Sequence, residues 1–427
     1  MLSVLNRFAH DRKGTTLLLF GLLAPVLIFG IGLSVDYSLA AARKSRVDAA
    51  ADAAALMAVT PSMMKQSTAA ATTAAQNAFA GQVSGIAGVS YAPANLSVVV
   101  ADTGGTRTAR VTYTASSANS FGGILGQTNW TIGGTSTSSA TQAPNIDFYL
   151  LLDNSPSMAI AATTAGINTM VANTASQGGC AFACHQSNPG ADSLGNPGGV
   201  DNYQLAINLG VTTRIQNLRA ATQSLMDTAT ASQTANGNTY RMAIYTFAEA
   251  GAVTIASLTS SLTSAKTLAG NIDVKQVYKN NWLTSSNNNS DTDTNFEQAM
   301  SDITTIMPTP GTGYTGSTPQ EVLFLVSDGV DDKLSGGSRF QGLFDTTACT
   351  TVKNKGIMIA VLYTEYLPLP TNAWYNTYIS PFQSQISANM KSCATPGLFF
   401  QVTTDSDITA AMAALFQAAI TTAHLTR

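Results

Sequence analysis

Charge is scarce in this sequence. Only 11% of its 427 residues are Asp, Glu, Lys or Arg, and the formal net charge is −3. That balance excludes a charge-rich disordered chain, and its sign is wrong for a protein that neutralises nucleic-acid phosphates. Histidine is scarcer still. His10, His185 and His424 are the only three, and none is placed to suggest a Ser/His/Asp or Cys/His arrangement. A GxxxxGK[ST] phosphate loop is absent, so catalysis is not expected. No repeat of solenoid period is visible. What the chain does have is 45% hydrophobic residues, much of it Ala, in a background of Ser, Thr, Asn and Gly. Its length sets a prior of two or three units.

One long hydrophobic run is present. Residues 15–35, TTLLLFGLLAPVLIFGIGLSV, carry no charge over 21 positions. As a helix rising 1.5 Å per residue they span about 30 Å, the thickness of a bilayer core. Pro25 is tolerated in such a helix. A cleaved secretory signal is the alternative, because Ser38-Leu39-Ala40 offers small residues, but the run exceeds an h-region of about 7–15 residues. A prepilin-like leader ending at Gly14 would be followed by Leu19 where Glu is usual. Arg7, Arg12 and Lys13 before the run balance Arg43, Lys44 and Arg46 after it, so positive charge does not orient the span.

Beyond the span, residues 36–59 continue as an Ala-rich helix without Gly or Pro. Pro61 interrupts it, and residues 68–80 resume it. Residues 96–100, 107–114 and 130–139 have strand composition and are separated by Gly-rich turns. A long helix followed by a few small strands is a pilin-like α+β arrangement. Composition changes near Ala143-Pro144, and from there strands alternate with helices, the pattern of a doubly wound, mostly parallel α/β sheet. Strands are expected at residues 146–152, 240–248, 252–258, 321–326, 356–363 and 398–402. Helices are expected at 201–230, 297–306 and 408–422. The expected division is a cytoplasmic tail at 1–14, the span at 15–35, the helix and small sheet at 36–143, and the larger unit at 144–427. The last carries a Gly/Asn-rich, Cys-containing insertion at about 161–200.

Directly after the first buried strand comes Asp153-Asn154-Ser155-Pro156-Ser157. Alternate side chains of an extended chain point the same way, so one carboxylate and two hydroxyls converge. All-oxygen donors suit a hard cation, Mg²⁺ or Ca²⁺. Thr294 opens the segment TNFEQAM at the start of a helix, and Asp328 follows another buried strand in Ser327-Asp328-Gly329. In this order, D-x-S-x-S, T-N-x-x-x-A-M and S-D-G resemble the metal-ion-dependent adhesion site of von Willebrand A domains, over about 280 residues. The resemblance implies a Rossmann-like sheet with Asp153, Ser155, Ser157, Thr294 and Asp328 around the metal. It also implies an open coordination position for an acidic side chain of a protein partner. The bland alternative is that Asp153 caps a turn and the two serines bond backbone. A second cation site, from residues 287–295 with Asp331-Asp332, is also to be weighed against solvated loop, and Glu297 is expected on a solvated helix face.

An even number of cysteines in an exported chain favours disulfides. Cys349 and Cys393 each precede an expected strand, and adjacent strands would bring them together. Cys180 and Cys184, in GGCAFACH, are read as a local disulfide. C-x-x-x-C-H is one residue too long for the usual haem attachment motif, and zinc bound through His185 is a lesser alternative.

Finally, RFAHDRKGTTLLLFGLLAPVLIFGIGLSVDYSLAAARKSRVDAAADAAALMA resembles the membrane-anchoring region of TadE/TadG-like proteins of tight-adherence (Flp) pilus systems. TadG-like members join such an anchor to a von Willebrand A domain. The resemblance implies a single-pass protein of the bacterial inner membrane with its C-terminal domain in the periplasm or at the cell surface. It implies a protein partner from the pilus or envelope and none made of nucleic acid. A surface adhesin binding host or matrix ligands through the same site is the alternative.

Overall fold

The computed structural model describes residues 15–141, 143–179, 196–275, 293–366, 368–369, 373–403 and 405–425. Two compact units divide at Gln142/Ala143.

In the first unit, the Ala-rich segment forms one helix with the apolar run, α1 (Thr15–Ala58). Its two halves differ in what they touch. Most of the large side chains from Leu17 to Ile31 are exposed. Beyond Asp36 a stripe at helical spacing, Val47, Ala50, Ala51, Ala54, Ala55 and Ala58, is buried. It packs against α2 (Thr68–Val83), whose Ala71, Ala75, Phe79 and Val83 recur every four residues, and against a small antiparallel sheet. That sheet contains β1 (Val89–Ser90), β2 (Leu96–Thr103), β3 (Thr106–Ala118) and β4 (Asn129–Thr141), with β3 central. On β3 the inward side chains Ala109, Val111, Tyr113 and Ala115 alternate with exposed ones, as a sheet with one covered face requires.

The second unit is built on six strands: β5 (Ile146–Asp153), β6 (Tyr240–Ala248), β7 (Gly251–Thr259), β8 (Gln320–Ser327), β11 (Met358–Thr364) and β12 (Phe399–Val402). Between β8 and β11 lies a hairpin, β9 (Val330–Ser335) and β10 (Ser338–Leu343). The main sheet runs β12-β11-β8-β5-β6-β7, parallel throughout except at the β6–β7 edge. This is the doubly wound, mostly parallel sheet that the alternation of strands and helices predicts. Every residue of β5 is buried, because both faces are covered. Ile146, Phe148, Leu150 and Leu152 face one core with α5 (Arg214–Asn236), α6 (Leu262–Ala269) and α11 (Ile408–Leu425). Tyr149 and Leu151 face the other, with α7 (Phe296–Ile306), α8 (Thr347–Asn354) and α10 (Ser380–Cys393). Two shorter helices precede α5: α3 (Thr164–Asn173) and α4 (Asn202–Asn208). A third, α9 (Ala373–Tyr378), precedes α10.

One expected helix is two. The 201–230 segment breaks between α4 and α5 because Gly210 adopts φ +69°. The Gly210 and Val211 N–H groups bond back to Ile207 and Ala206, a Schellman ending that only a residue free to turn left-handed gives cheaply. Thr213 then bridges to Ala161, which leads α5 toward the end of β5. The Cys349–Cys393 disulfide is present. The two cysteines lie on α8 and α10, the helices that precede β11 and β12, so the bond joins two helices over one sheet face. Cys180, Cys184 and His185 fall outside the described residues.

Candidate metal centre

The chain leaves β5 in the middle of the sheet, fills β6 and β7 on one side, then crosses to β8 on the other. The carboxyl ends of β5 and β8 therefore flank the point where strand order reverses, where such sheets form a crevice. Leu152 pairs with Val326, which brings Asp153 beside Ser327 and the following Asp328. All three are at most 1% exposed.

Two hydroxyl–carboxylate hydrogen bonds and a close hydroxyl–hydroxyl contact bring the predicted residues together. Ser155 donates to Asp153 Oδ1 from both its backbone N–H (3.0 Å) and its hydroxyl (2.6 Å). The Ser155 and Ser157 hydroxyls lie 3.0 Å apart, and Ser157 donates to Asp328 Oδ2 at 2.7 Å. Four of the five residues singled out in the sequence are thus assembled. Thr294 is buried and bridged to Asp332 through paired backbone N–H and C=O groups. No hydrogen bond joins its hydroxyl to the other four among the described residues.

Two further residues belong to the cluster. Ser327 donates to Asp153 Oδ2 at 2.7 Å and accepts the Gly329 N–H at 3.0 Å, so it orients the carboxylate from behind. Its signal was the serine of S-D-G. Arg214, at the start of α5, brings a guanidinium nitrogen to 3.8 Å from Asp328 Oδ2; that nitrogen is buried without a hydrogen-bond partner. Nothing in local spacing marks Arg214, because the Gly210 break brings it there.

Gly329 explains the third letter of S-D-G. Its φ is +77°, and a Cβ would stand 2.5 Å from Ile386 and 2.9 Å from Met390. Only glycine lets Asp328 turn into the crevice while α10 packs behind it.

Electrostatics give the cluster its character. Burial pushes the Asp153 carboxyl above its ordinary range. Asp328 is pushed up by burial first and by Asp153 second, with Arg214 opposing. Two like charges out of water are costly unless a cation joins them. Among the described residues no group of three or more His, Cys, Asp or Glu could hold a metal. Here the donor set is two carboxylates with hydroxyls, all oxygen, which fits a hard dication rather than a soft one.

The second cation site does not survive in its expected form. Asp331 accepts the Phe296 N–H at 3.0 Å and pairs with Lys333 at 2.9 Å. Asp332 accepts from Arg339 Nε at 2.8 Å and from Gln341 at 3.0 Å. Both are buried, so they are neither solvated loop nor open to an ion. Residues 287–292 of that expectation lie outside the described residues. Glu297 is half-buried, not solvated, because Lys333 binds it from β9.

Residues 14–77 match the family described as "Putative Flp pilus-assembly TadE/G-like", the family whose anchoring region the N-terminus resembles. No curated protein matches the chain. Among solved structures, the von Willebrand domain of the type V pili tip protein Mfa5 from Porphyromonas gingivalis is 11% identical, with 66% of this chain and 96% of that one covered and a TM-score of 0.35. Proximal thread matrix protein 1 from the mussel byssus, with a zinc-occupied MIDAS motif, is 12% identical at a TM-score of 0.34, with 65% of this chain and 46% of that one covered. The pilus adhesin SpaC from Lactobacillus rhamnosus GG is 9% identical at 0.33, with 77% and 34% covered. This chain thus spans less than half the length of the last two. Its own strand order and register carry the fold.

Proposed function

We propose that this chain is a membrane-anchored, extracytoplasmic component of a Flp/Tad pilus-assembly system, and that it holds a protein partner through a divalent ion, Mg²⁺ or Ca²⁺. The observation that carries the reading is the buried cluster in which Ser155 donates to Asp153, Ser157 donates to Asp328 and the two serine hydroxyls lie side by side. Those four residues, with Thr294, would hold the ion. The ion would supply a concentrated positive charge able to accept a carboxylate of the partner. Asp153 and Asp328 neutralise it, and the hydroxyls add oxygen without charge. Ser327 keeps Asp153 aimed at the site. The chain's own work is to bind and orient. No nucleophile or general base is assigned, and the site is read as a docking point rather than a reaction centre.

The exposed apolar half of α1 supports an anchor, since most of its large side chains stand exposed among the described residues. The Cys349–Cys393 disulfide supports an oxidising compartment, hence the periplasm or cell surface of a protein held in the inner membrane. The match over residues 14–77 supports the pilus-assembly setting.

The test is recovery of partners by the full chain from solubilised envelopes, with and without EDTA, and with Asp153→Ala. Loss of the same partner under EDTA and in the variant is expected. Equal recovery in all three cases would sink the proposal. Capture of host or matrix ligands in place of envelope proteins would favour an adhesin instead.

A further inference from the structure

The connection between β3 and β4, residues 119–128, reads NSFGGILGQT and places Phe121, Ile124 and Leu125 within five positions of a turn. Phe121 and Ile124 are 43% and 72% exposed. Such side chains at the tip of a hairpin have no part in the core of this unit, and the metal centre does not use them.

The loop is nevertheless held firmly. Asp36, the first charged residue after the apolar run, is 1% exposed. Its carboxylate accepts the backbone N–H groups of Ser120 (2.7 Å), Phe121 (3.0 Å) and Gly122 (2.6 Å). Charge-assisted bonds of this kind are among the stronger ones. One turn earlier, Gly32 faces the same loop: a Cβ there would stand 2.8 Å from the Phe121 Cβ. At Gly122 a Cβ would meet Gln127 O at 2.8 Å and Asp36 Oδ2 at 3.3 Å, so no larger residue fits between loop and helix. Gly32 lies four residues, about 6 Å, inside the apolar run from Asp36. Phe121 is therefore level with the end of the run, not beyond it. Beside it, Tyr37 is 66% exposed and packs edge-on against Trp130 at 6.4 Å. Tyr and Trp side by side at the end of an apolar helix are what a membrane–water interface favours.

We infer that the 119–126 loop enters the interfacial layer of the bilayer beside α1, with Phe121 and Ile124 in contact with lipid. The inference rests on reading residues 15–35 as a membrane span. Lipid is the occupant because the loop's apolar surface is continuous with that of the helix, which is exposed along Val26, Leu27, Ile28, Ile31 and Val35. A single helix is free to rotate and tilt in a bilayer. A second lipid contact locked to it through Asp36 fixes the rotation of the pilin-like unit about the anchor.

The test uses the full chain in neutral phosphatidylcholine vesicles with one nitroxide at Ile124→Cys. Collision rates are read with oxygen, which favours lipid, and with a water-soluble nickel chelate. Labels at Leu22→Cys and at Val99→Cys, on exposed β2, give the lipid and water references, and the parent chain treated alike gives the baseline. The expected oxygen-to-nickel ratio at position 124 is several-fold above that at 99 and below that at 22, as an interfacial depth requires. Asp36→Ala, which removes all three acceptors, lowers it toward the value at 99 and leaves position 22 unchanged. A water-like ratio at 124 with a lipid-like one at 22 overturns the loop alone. A water-like ratio at 22 overturns the span and the loop with it. Low collision with both reagents at 124 shows protein covering it and also overturns the inference. Should Asp36→Ala not fold, position 124 in the otherwise native chain still decides.

Discussion

Asp153 and Asp328 share a crevice in which Arg214 is the nearest cationic group, 3.8 Å from one of them. Without an ion, their mutual repulsion opposes folding once both are ionised; with one, it becomes affinity. Asp328→Asn separates the two effects. In EDTA at pH 8 the variant is expected to melt above the parent, because it removes one of two like charges. With saturating Mg²⁺ or Ca²⁺ the order reverses, since a ligand at one hundred times its Kd stabilises the parent by about 2.7 kcal/mol. Melting below the parent by the same amount in both buffers would contradict this. Gly329 offers a second residue-scale check. Gly329→Ala forces a left-handed alanine, costing about 1–2 kcal/mol from the backbone alone, before the contact with Ile386 and Met390. A lowered chemical-denaturation midpoint is expected; an unchanged one would show that α10 gives way freely.

At the scale of elements, legibility followed length and regularity. The apolar run Phe148–Leu152 of β5 and the long segment of α11 stand out, and S-D-G at the end of β8 identified Asp328 without any contact being known. Helices α3, α8 and α10 were not legible. Each buries at most three residues, such as Cys349 and Val352 on α8, too few to display a period. The β9–β10 hairpin, with Gly336 and Gly337 at its turn, carried a recognised signal but followed S-D-G so closely that it passed for loop. Its Lys333 and Arg339 then turned Asp331 and Asp332 from a candidate cation site into ion pairs. Arg214 depended on a helix break that composition alone does not locate.

Two predictions belong to this scale. The Cys349–Cys393 bond closes 44 residues between α8 and α10. Replacing both cysteines by serine is expected to cost up to about 4 kcal/mol by the chain-entropy model, with ion binding retained in the cold. A loss of ion binding in folded protein would mean that the staple shapes the site. On β8, Glu321 is 2% exposed and lies opposite Asp147 of β5, whose charge is already matched by Arg241 at 2.7 Å. Burial, then Asp147, pushes the Glu321 carboxyl up to about 8. The folded chain therefore keeps a proton that the unfolded chain releases between pH about 4.5 and 8, so this group lowers stability as pH rises through that window. Glu321→Gln is expected to flatten the fall in melting temperature from pH 5 to 8.5. An identical slope in parent and variant would contradict it.

For the molecule as a whole, the proposed role couples two features that lie in different units. One is an apolar helix whose N-terminal half exposes most of its large side chains. The other is an oxygen-lined crevice at the switch point of a doubly wound sheet. Length and composition made the first legible, and three short motifs in order made the second legible. Neither names the partner, whose chemistry enters only through the acidic group that an ion at Asp153 and Asp328 would accept. Everything in that role turns on whether the crevice takes a divalent ion. The direct measurement is calorimetric titration of Mg²⁺ and of Ca²⁺ into the detergent-solubilised full chain, stripped of metal, beside Asp153→Ala and Asp328→Ala. One saturable ion per chain in the parent, lost in both variants, is the expected result. No saturable binding in the parent, or binding unchanged in both variants, would contradict it.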